Sequence, residues 1–556
     1  ATAQTGNKKG LIDECQRLCA DGEYATALTV LEKIDTKGLG GEKLQELEML
    51  RALAVYENDV LEGRAMLFQY LADYPESAKR ELLYNYIAQS YSHTGNYDQA
   101  CKWFGQCNMK RLTPAQRDKG TLLYALSLLN SGNEGAAENL LMNLSLTSKE
   151  YSKDAGFYLA VIDYNRDNLD EAYKAFRNFE FDAKYCGESQ YYITGIYLKK
   201  GQAARAANMV RMYLDANKPT VPEYYRMYQM LGAAEFMQGN YKEATEALTT
   251  YVENYHTPQR VALYQLGTSL YATGELDKAM EMLLPCIDGE DAVAQSALLH
   301  IGLIHLEKGN GSSARLALEQ AATMTYDDQV REEALYNYAL CIHQTRYSPF
   351  AESVKAFEQF LNDYPKSKHA DKVGEYLIEV YNNTRNYNVA LQSINKIKNP
   401  SAKILEAKQN ILYRLGVQEF LDGNMDGAID YMNSSLKLAK YNAETQSNAL
   451  FWKGEALFRK GDMAGARNCY VQSLNCGAKG NSLATYGLGY TYFNDGRYNE
   501  ARSRFEAFAK VADKNDKETI SDAYNRIADC HFYQRGFDAA EEYYAKAANT
   551  YNKNAD

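Results

Sequence analysis

Several things are scarce in this 556-residue chain, and each scarcity excludes something. Nine Pro are too few for strings of linkers between separate domains. No stretch approaches the roughly eighteen uncharged apolar residues that a membrane-spanning helix needs; even Leu122–Leu129 is short and soon interrupted. Positive charge is not in excess, since 61 Lys and Arg face 72 Asp and Glu, and a formal net charge of −11 offers no attraction to nucleic-acid phosphates or anionic lipid. The seven His are scattered, and the nearest pair, His300 and His305, lies about 140° apart around a helix rather than on one face. The ten Cys form no CxxC pair and read as small buried residues with free thiols.

Catalytic signatures are missing as well. There is no phosphate-binding loop, and Gly487-Leu488-Gly489 lacks the third Gly of a dinucleotide fingerprint and sits within a helical pattern. No G-x-S-x-G elbow or local Cys–His signature is present. The expectation is therefore a non-enzymatic protein with no catalytic residue, cofactor or metal.

What is present is apolar enough to fold: 46% of residues are hydrophobic, 24% are charged, and Tyr is abundant at 47. At roughly 150 residues per domain the length suggests three or four domains, or one elongated array. A six-residue phrase ending in a small residue decides for the array. It occurs as GEYATA at Gly22–Ala27, GNYDQA at Gly95–Ala100, GNYKEA at Gly239–Ala244, GELDKA at Gly274–Ala279 and GRYNEA at Gly496–Ala501. Looser copies start at Asn58, Gly132, Asp167, Gly201, Gly309, Ser348, Arg385, Gly423, Gly461 and Arg535. These fifteen copies are spaced 34 to 39 residues apart, the period of a solenoid.

The chemistry of the phrase is that of a turn between antiparallel helices. Gly can adopt the left-handed conformation that closes a first helix, and a following Asn, Asp or Glu can cap a second. The last position is Ala in thirteen copies, with Gly63 and Ser353 the exceptions, as close helix packing requires. Nine residues after each start the side chain is always apolar, from Leu31 to Tyr544, an inward knob of the second helix. Seven residues before the start the first helix is usually small, as at Cys15, Ala88, Gly232, Gly302, Gly416, Gly454 and Gly489, so two helices are expected to touch there. Arg51 breaks this rule, which leaves the second hairpin either irregular or in another register. Seven Pro fall between hairpins, whereas Pro285 lies inside a second helix and is expected to kink or end it.

Leu-Gly before the turn (Leu231-Gly232, Leu266-Gly267, Leu415-Gly416, Leu488-Gly489), Tyr91, Tyr197 and Tyr492, and the Ala and apolar pair after it resemble the tetratricopeptide repeat across essentially the whole chain. The resemblance implies an all-α, right-handed superhelical solenoid of about fifteen hairpins. It divides as an array over 1–345 of about nine hairpins, continuous with one over 346–556 of about six. The insertion Tyr347–Glu352 is expected to distort the tenth turn. Asp73–Ser77 and Phe360–Ser367, with the high Tyr and Asn content, resemble junctions of envelope and periplasmic tetratricopeptide proteins of the Bacteroidetes. Ala1-Thr2-Ala3 has the small-x-small pattern of a signal-peptidase site and points the same way, to a periplasmic or outer-membrane-associated protein; the free thiols suit a cytoplasmic one.

Binding is then the expected activity, in a groove lined by the first helices, as a protein-interaction scaffold for a protein or peptide partner. A cytoplasmic adaptor or peptide-sensing regulator, and an envelope glycan-binding module, are the alternatives. The Lys and Asn that clamp a terminal carboxylate in one tetratricopeptide subfamily are replaced here, for example by Asn85 and Gln89 and by Phe451 and Glu455. Aromatic residues recur instead seven apart on one helix face, as Tyr264/Tyr271, Tyr413/Phe420, Phe451/Phe458 and Tyr486/Phe493, with the second of each pair expected to pack against the next repeat. Tyr264, Tyr413, Phe451 and Tyr486, with Tyr191 and Phe157, are the candidate partner-binding residues. The last second helix is expected to reach about Tyr551 with no polar helix over its apolar face, which implies cover by further chain or a partner.

Overall fold

The computed structural model describes residues 2–344, 350–476 and 481–551, with side chains not described at 2–7, 350 and 351. The tenth turn around Ser348 and residues 552–556 lie outside the described residues, as does Ala1 of the N-terminal triplet. Among the described residues there are thirty α-helices and no strand, and the helices pair in chain order into fifteen antiparallel hairpins, from Thr2–Ala20 with Tyr24–Glu32 to Lys517–Tyr533 with Phe537–Thr550. The described chain forms two compact units, Ala1–Ser269 and Leu270–Asp556; the division expected after residue 345 falls within the second.

The turns follow from the repeat phrase. In twelve of the fifteen, the residue that starts the phrase has a positive φ of 59–86°, ten of these being Gly and the others Asp167 and Arg535. Each of the twelve makes the same hydrogen bond, from the amide after the left-handed residue back to the carbonyl five residues earlier, at 2.8–2.9 Å. This Schellman closure satisfies main-chain groups that a helix end would otherwise orphan. Side-chain capping of the second helix is sparser than expected. Asp59, Asn96, Asn133, Asn386, Asn424 and Asp462 accept from the first-turn amides, whereas Glu23 and Glu275 do not.

Packing repeats with the turns. All thirteen Ala at the end of the phrase are buried, and fourteen of the fifteen knobs are 0–2% exposed. Tyr544 is the exception at 38%, its hydroxyl donating to Asp529 instead (2.5 Å). The small positions lie where the helices meet: a Cβ on Gly302, Gly416 or Gly489 would come within 2.6–2.7 Å of the knobs Leu318, Met432 and Phe505, and Gly232 abuts Leu248 still more closely.

The second hairpin is irregular. Its first helix, Gly41–Asn58, runs on until Asp59 alone connects it to Val60–Asp73, where the other described turns take three residues. Asp59 caps the second helix by accepting from the Leu61 and Glu62 amides (both 2.9 Å). The shorter connection rotates the pairing, so that Ala52 and Ala54 are buried while Arg51 faces solvent, and a Cβ on Gly63 would run into the Tyr56 main chain. Pro285 ends its helix as expected: Leu276–Leu283 gives way to a single 3₁₀ turn, Leu284–Cys286. Pro114 opens the helix Pro114–Asn130 behind a Thr113–Gln116 capping box.

Within each unit the first helices of neighbouring hairpins touch directly, as Arg80–His93 and Pro114–Asn130 do in the first and Ala402–Leu421 and Ala443–Arg459 in the second. These contacts set first helices side by side in a layer within each unit.

Candidate functional site

The six aromatic residues expected to bind a partner occupy different environments. Phe157 is fully buried, stacked on Tyr185 at 4.2 Å and edge-on to Phe176 and Phe179, so it is a core residue of the first unit with no surface to offer. Tyr191, 6% exposed, packs on Tyr192, with the Arg226 guanidinium 4.2 Å from its ring centre. Tyr264 is half-buried beside Phe236. Tyr486 is half-buried against Phe505 and Phe508, and its hydroxyl is committed to Asp522 (2.6 Å), which also accepts from Tyr490. Burial and that bond push the Tyr486 phenol far up. Of the second members of the pairs, Phe420 is buried as expected, while Tyr271, Phe458 and Phe493 are half-buried.

Phe451 is buried, 8% exposed, beside Trp452, which also meets Tyr413. Trp452 lies edge-on to Phe451 and Phe420, and its indole N–H beside the Tyr413 phenol partly offsets the upward push of burial on that group. Tyr413 in turn lines a cavity of about 550 Å³ in the first-helix layer of the second unit, between Ala370–Asn383, Ala402–Leu421 and Ala443–Arg459. The cavity is polar: Asn382, Asn410, Asn442, Asn448, Thr445, Lys403, Glu406 and Glu444 share its walls with Ile378, Ala407 and Tyr413.

Local sequence explains why the cavity lies there. The turn after Ala370–Asn383 has Arg385 where most others have Gly; it lacks the left-handed residue, and Thr384 leaves the helix in an extended conformation. The next first helix, Ala402–Leu421, has 20 residues against 14, capped by Ser401 just after Pro400, and its extra length builds one wall. Asn442 fixes the opposite rim. Its side chain caps Ala443–Arg459 through the Thr445 amide (2.8 Å) and donates to Glu406 (2.8 Å), and its carbonyl accepts from Gln409 (2.9 Å).

The three asparagines that matter were not singled out from sequence. Asn410 and Asn448 stand thirteen residues before their turns, the register also held by Lys119, Asp154, Glu188 and Arg226. The aromatic candidates stand ten before. Three residues turn a helix by about 300°, so the two registers differ by about 60° of face. That shift sets Asn410 and Asn448 beside the aromatic register, of which Tyr413 alone among the six candidates also lines the cavity.

Among the described residues no group of three His, Cys, Asp or Glu is placed to hold a metal ion. The Nδ1 of His300 lies 2.8 Å from the Ser296 carbonyl, and burial pushes its pKa down. All ten Cys are free thiols, six of them buried. No described helix is long and apolar enough to cross a membrane.

Stacked helical hairpins with this turn and this small-residue packing define a helical repeat protein. One model of the tetratricopeptide repeat matches residues 196–256 and 486–555, and a second model of the same repeat matches 261–284, so these segments carry tetratricopeptide repeats. No curated protein matches it. Among solved structures it is similar to the one titled "Crystal structure of APC/C hetero-tetramer Cut9-Hcn1", at 16% identity over 98% of this chain and 93% of that one, with a TM-score of 0.32. That likeness carries nothing about what this protein binds. The tetratricopeptide repeats support a protein–protein interaction scaffold.

Proposed function

We propose that the protein is a non-enzymatic interaction scaffold that holds a segment of a partner protein against its first-helix layer, with the polar cavity between Ala370–Asn383 and Ala443–Arg459 as the contact site. The observation that carries this reading is the free amide chemistry there. Among the described residues, the side chains of Asn382, Asn410 and Asn448 make no hydrogen bond to the protein, although all three line one cavity on successive first helices. A carboxamide offers both donor and acceptor, the complement of a peptide group. Tyr413 adds a half-buried aromatic wall, and Tyr264 belongs to the same reading in the first unit.

The junctions at 73–77 and 360–367 support placing this scaffold in a bacterial envelope assembly, periplasmic or outer-membrane associated. The ten free thiols favour a second reading, a cytoplasmic adaptor. Crosslinking with mass spectrometry in the native cell tests the scaffold. Crosslinks from Lys403 to a protein partner are expected, and the compartment of that partner decides between the two placements. Recovery of no protein partner together with saturable glycan binding would overturn the reading in favour of a glycan-binding module.

A further inference from the structure

The cavity does not end at Ile378 and Lys403. Those two residues also line a neighbouring cavity of about 350 Å³ that continues past Gly374, Asp371 and Pro365. The two form one trough from the Pro365 junction to Asn448. Its charged lining consists of four carboxylates, Asp371, Glu375, Glu406 and Glu444, against the single ammonium of Lys403. Lys403 is already used: with Lys372 it bonds Glu375 (both 3.4 Å), and those bonds hold the Glu375 carboxyl below its ordinary range.

The remaining three acids keep acceptor capacity. Glu406 spends one oxygen on Asn442 (2.8 Å). Among the described residues, Asp371 and Glu444 have no hydrogen-bond or ion-pair partner. A further unfilled acceptor is buried in the same helix as Glu406, outside the lining itself. Gln409 is wholly buried next to Asn410 and donates its amide to the Asn442 carbonyl, but its Oε1 has no donor. The trough is therefore rich in unfilled acceptors and negative charge, with uncommitted carboxamides along its length.

Resting on the scaffold reading, we propose that this trough binds an extended, basic segment of the partner. A Lys or Arg side chain lies among Glu406, Glu444 and Asp371 and against Tyr413, and the main chain pairs with Asn382, Asn410 and Asn448. A cation supplies the missing donors and the missing charge, and an aromatic wall adds cation–π attraction. An extended chain rises about 3.3 Å per residue, and first helices pack about 10 Å apart, so three helices span roughly six residues. An acidic segment or a terminal carboxylate is repelled by the same carboxylates.

Selection from a random ten-residue peptide display pool by the full chain tests this. Retained peptides are expected to carry Lys or Arg, to bind at least tenfold more weakly when that residue is replaced by Glu, and to weaken as salt rises. The Glu406→Gln/Glu444→Gln pair is expected to lose this preference tenfold or more. The Asn410→Ala/Asn448→Ala pair is expected to weaken every retained peptide. Both pairs sit on helix surfaces, and an unchanged circular dichroism melt confirms that each variant folds.

Retention of acidic or apolar peptides would overturn the proposal, as would a basic preference untouched by the glutamate pair, which would reflect only the overall negative charge. A photo-crosslinker at position 448 in native cells separates the two readings. Capture of non-basic protein segments there ends this inference and leaves the scaffold standing, whereas no protein capture ends both.

Discussion

Gly454 lies directly against the ring of Tyr470: a Cβ on Gly454 would stand 2.8 Å from Tyr470 Cε1, and a Cβ on Gly487, on the next first helix, would stand 2.6 Å from Cζ. The ring is fully buried and meets two consecutive first helices at these glycines. Gly454→Ala gains roughly 1 kcal/mol of helix propensity but incurs about 1–3 kcal/mol of overpacking. With the ring buried and crowded by two helices the second effect wins, and Gly454→Ala is expected to destabilise by up to about 2 kcal/mol. A lowered urea midpoint checks this, and an unchanged or raised midpoint would show that the ring can yield.

The same ring controls a titration. Burial pushes the Glu455 carboxyl above its ordinary 4.5, and the Tyr470 hydroxyl, donating to it at 2.6 Å, pulls it partly back. Because the folded-state value is the higher one, the folded protein holds more protons than the unfolded chain from pH 4.5 up to the raised value. Stability from this group therefore falls as pH rises through that window and is flat on either side. Relative to wild type, Glu455→Gln is expected to gain stability across the window, and Tyr470→Phe, which removes the donor, to extend the window upward. Urea midpoints from pH 4 to 8 test this; identical slopes for wild type and Glu455→Gln would refute it.

The turns and knobs could be read from sequence because each depends on a residue type with one physical use. Only Gly occupies the left-handed position cheaply, and only a small residue fits opposite Leu248 or Phe505. Arg51 misled because the register rule assumes a three-residue connection, and Asp59 supplies only one. Phe451, 8% exposed, is covered for a different reason: seven-residue spacing identifies a helix face but not which side of that face the next hairpin covers, and Phe157, taken from its first-helix position alone, is buried in the same way. Neighbouring helices cover theirs, and the cavity falls about 60° away, at Asn410 and Asn448. The acidic trough was not legible either, since Asp371, Glu406 and Glu444 come from three helices that only the fold aligns.

Phe157 and Tyr413 should therefore separate in experiment. Phe157→Ala removes a ring packed among Phe176, Phe179 and Tyr185 and is expected to cost about 3–5 kcal/mol. In a stack of hairpins the loss stays local, so hydrogen exchange should quicken first over residues 152–199. Tyr413→Ala trims a half-buried wall and is expected to cost roughly 1–2 kcal/mol, with partner capture falling at least tenfold. If Phe157→Ala were as stable as wild type yet lost the partner, Phe157 would be a contact residue.

The last hairpin offers a stabilising change. Arg535 holds the left-handed position at φ 64°, which costs a residue with a Cβ about 1–2 kcal/mol, and its amide environment matches the turns where Gly stands. Gly at that position adds about 0.4–1 kcal/mol of unfolded-state entropy against folding. Arg535→Gly is thus expected to raise stability by about 0.5–1 kcal/mol. Asp167, at φ 59°, differs because its carboxylate accepts from Lys199 (2.7 Å) on the surface, a pair worth about 0–1 kcal/mol. Asp167→Gly relieves the strain but loses that tether, so it is expected to be near neutral. Slower hydrogen exchange at residues 531–540 in Arg535→Gly, with little change at 163–172 in Asp167→Gly, is the expected pattern; destabilisation by Arg535→Gly would show that the guanidinium stabilises the turn.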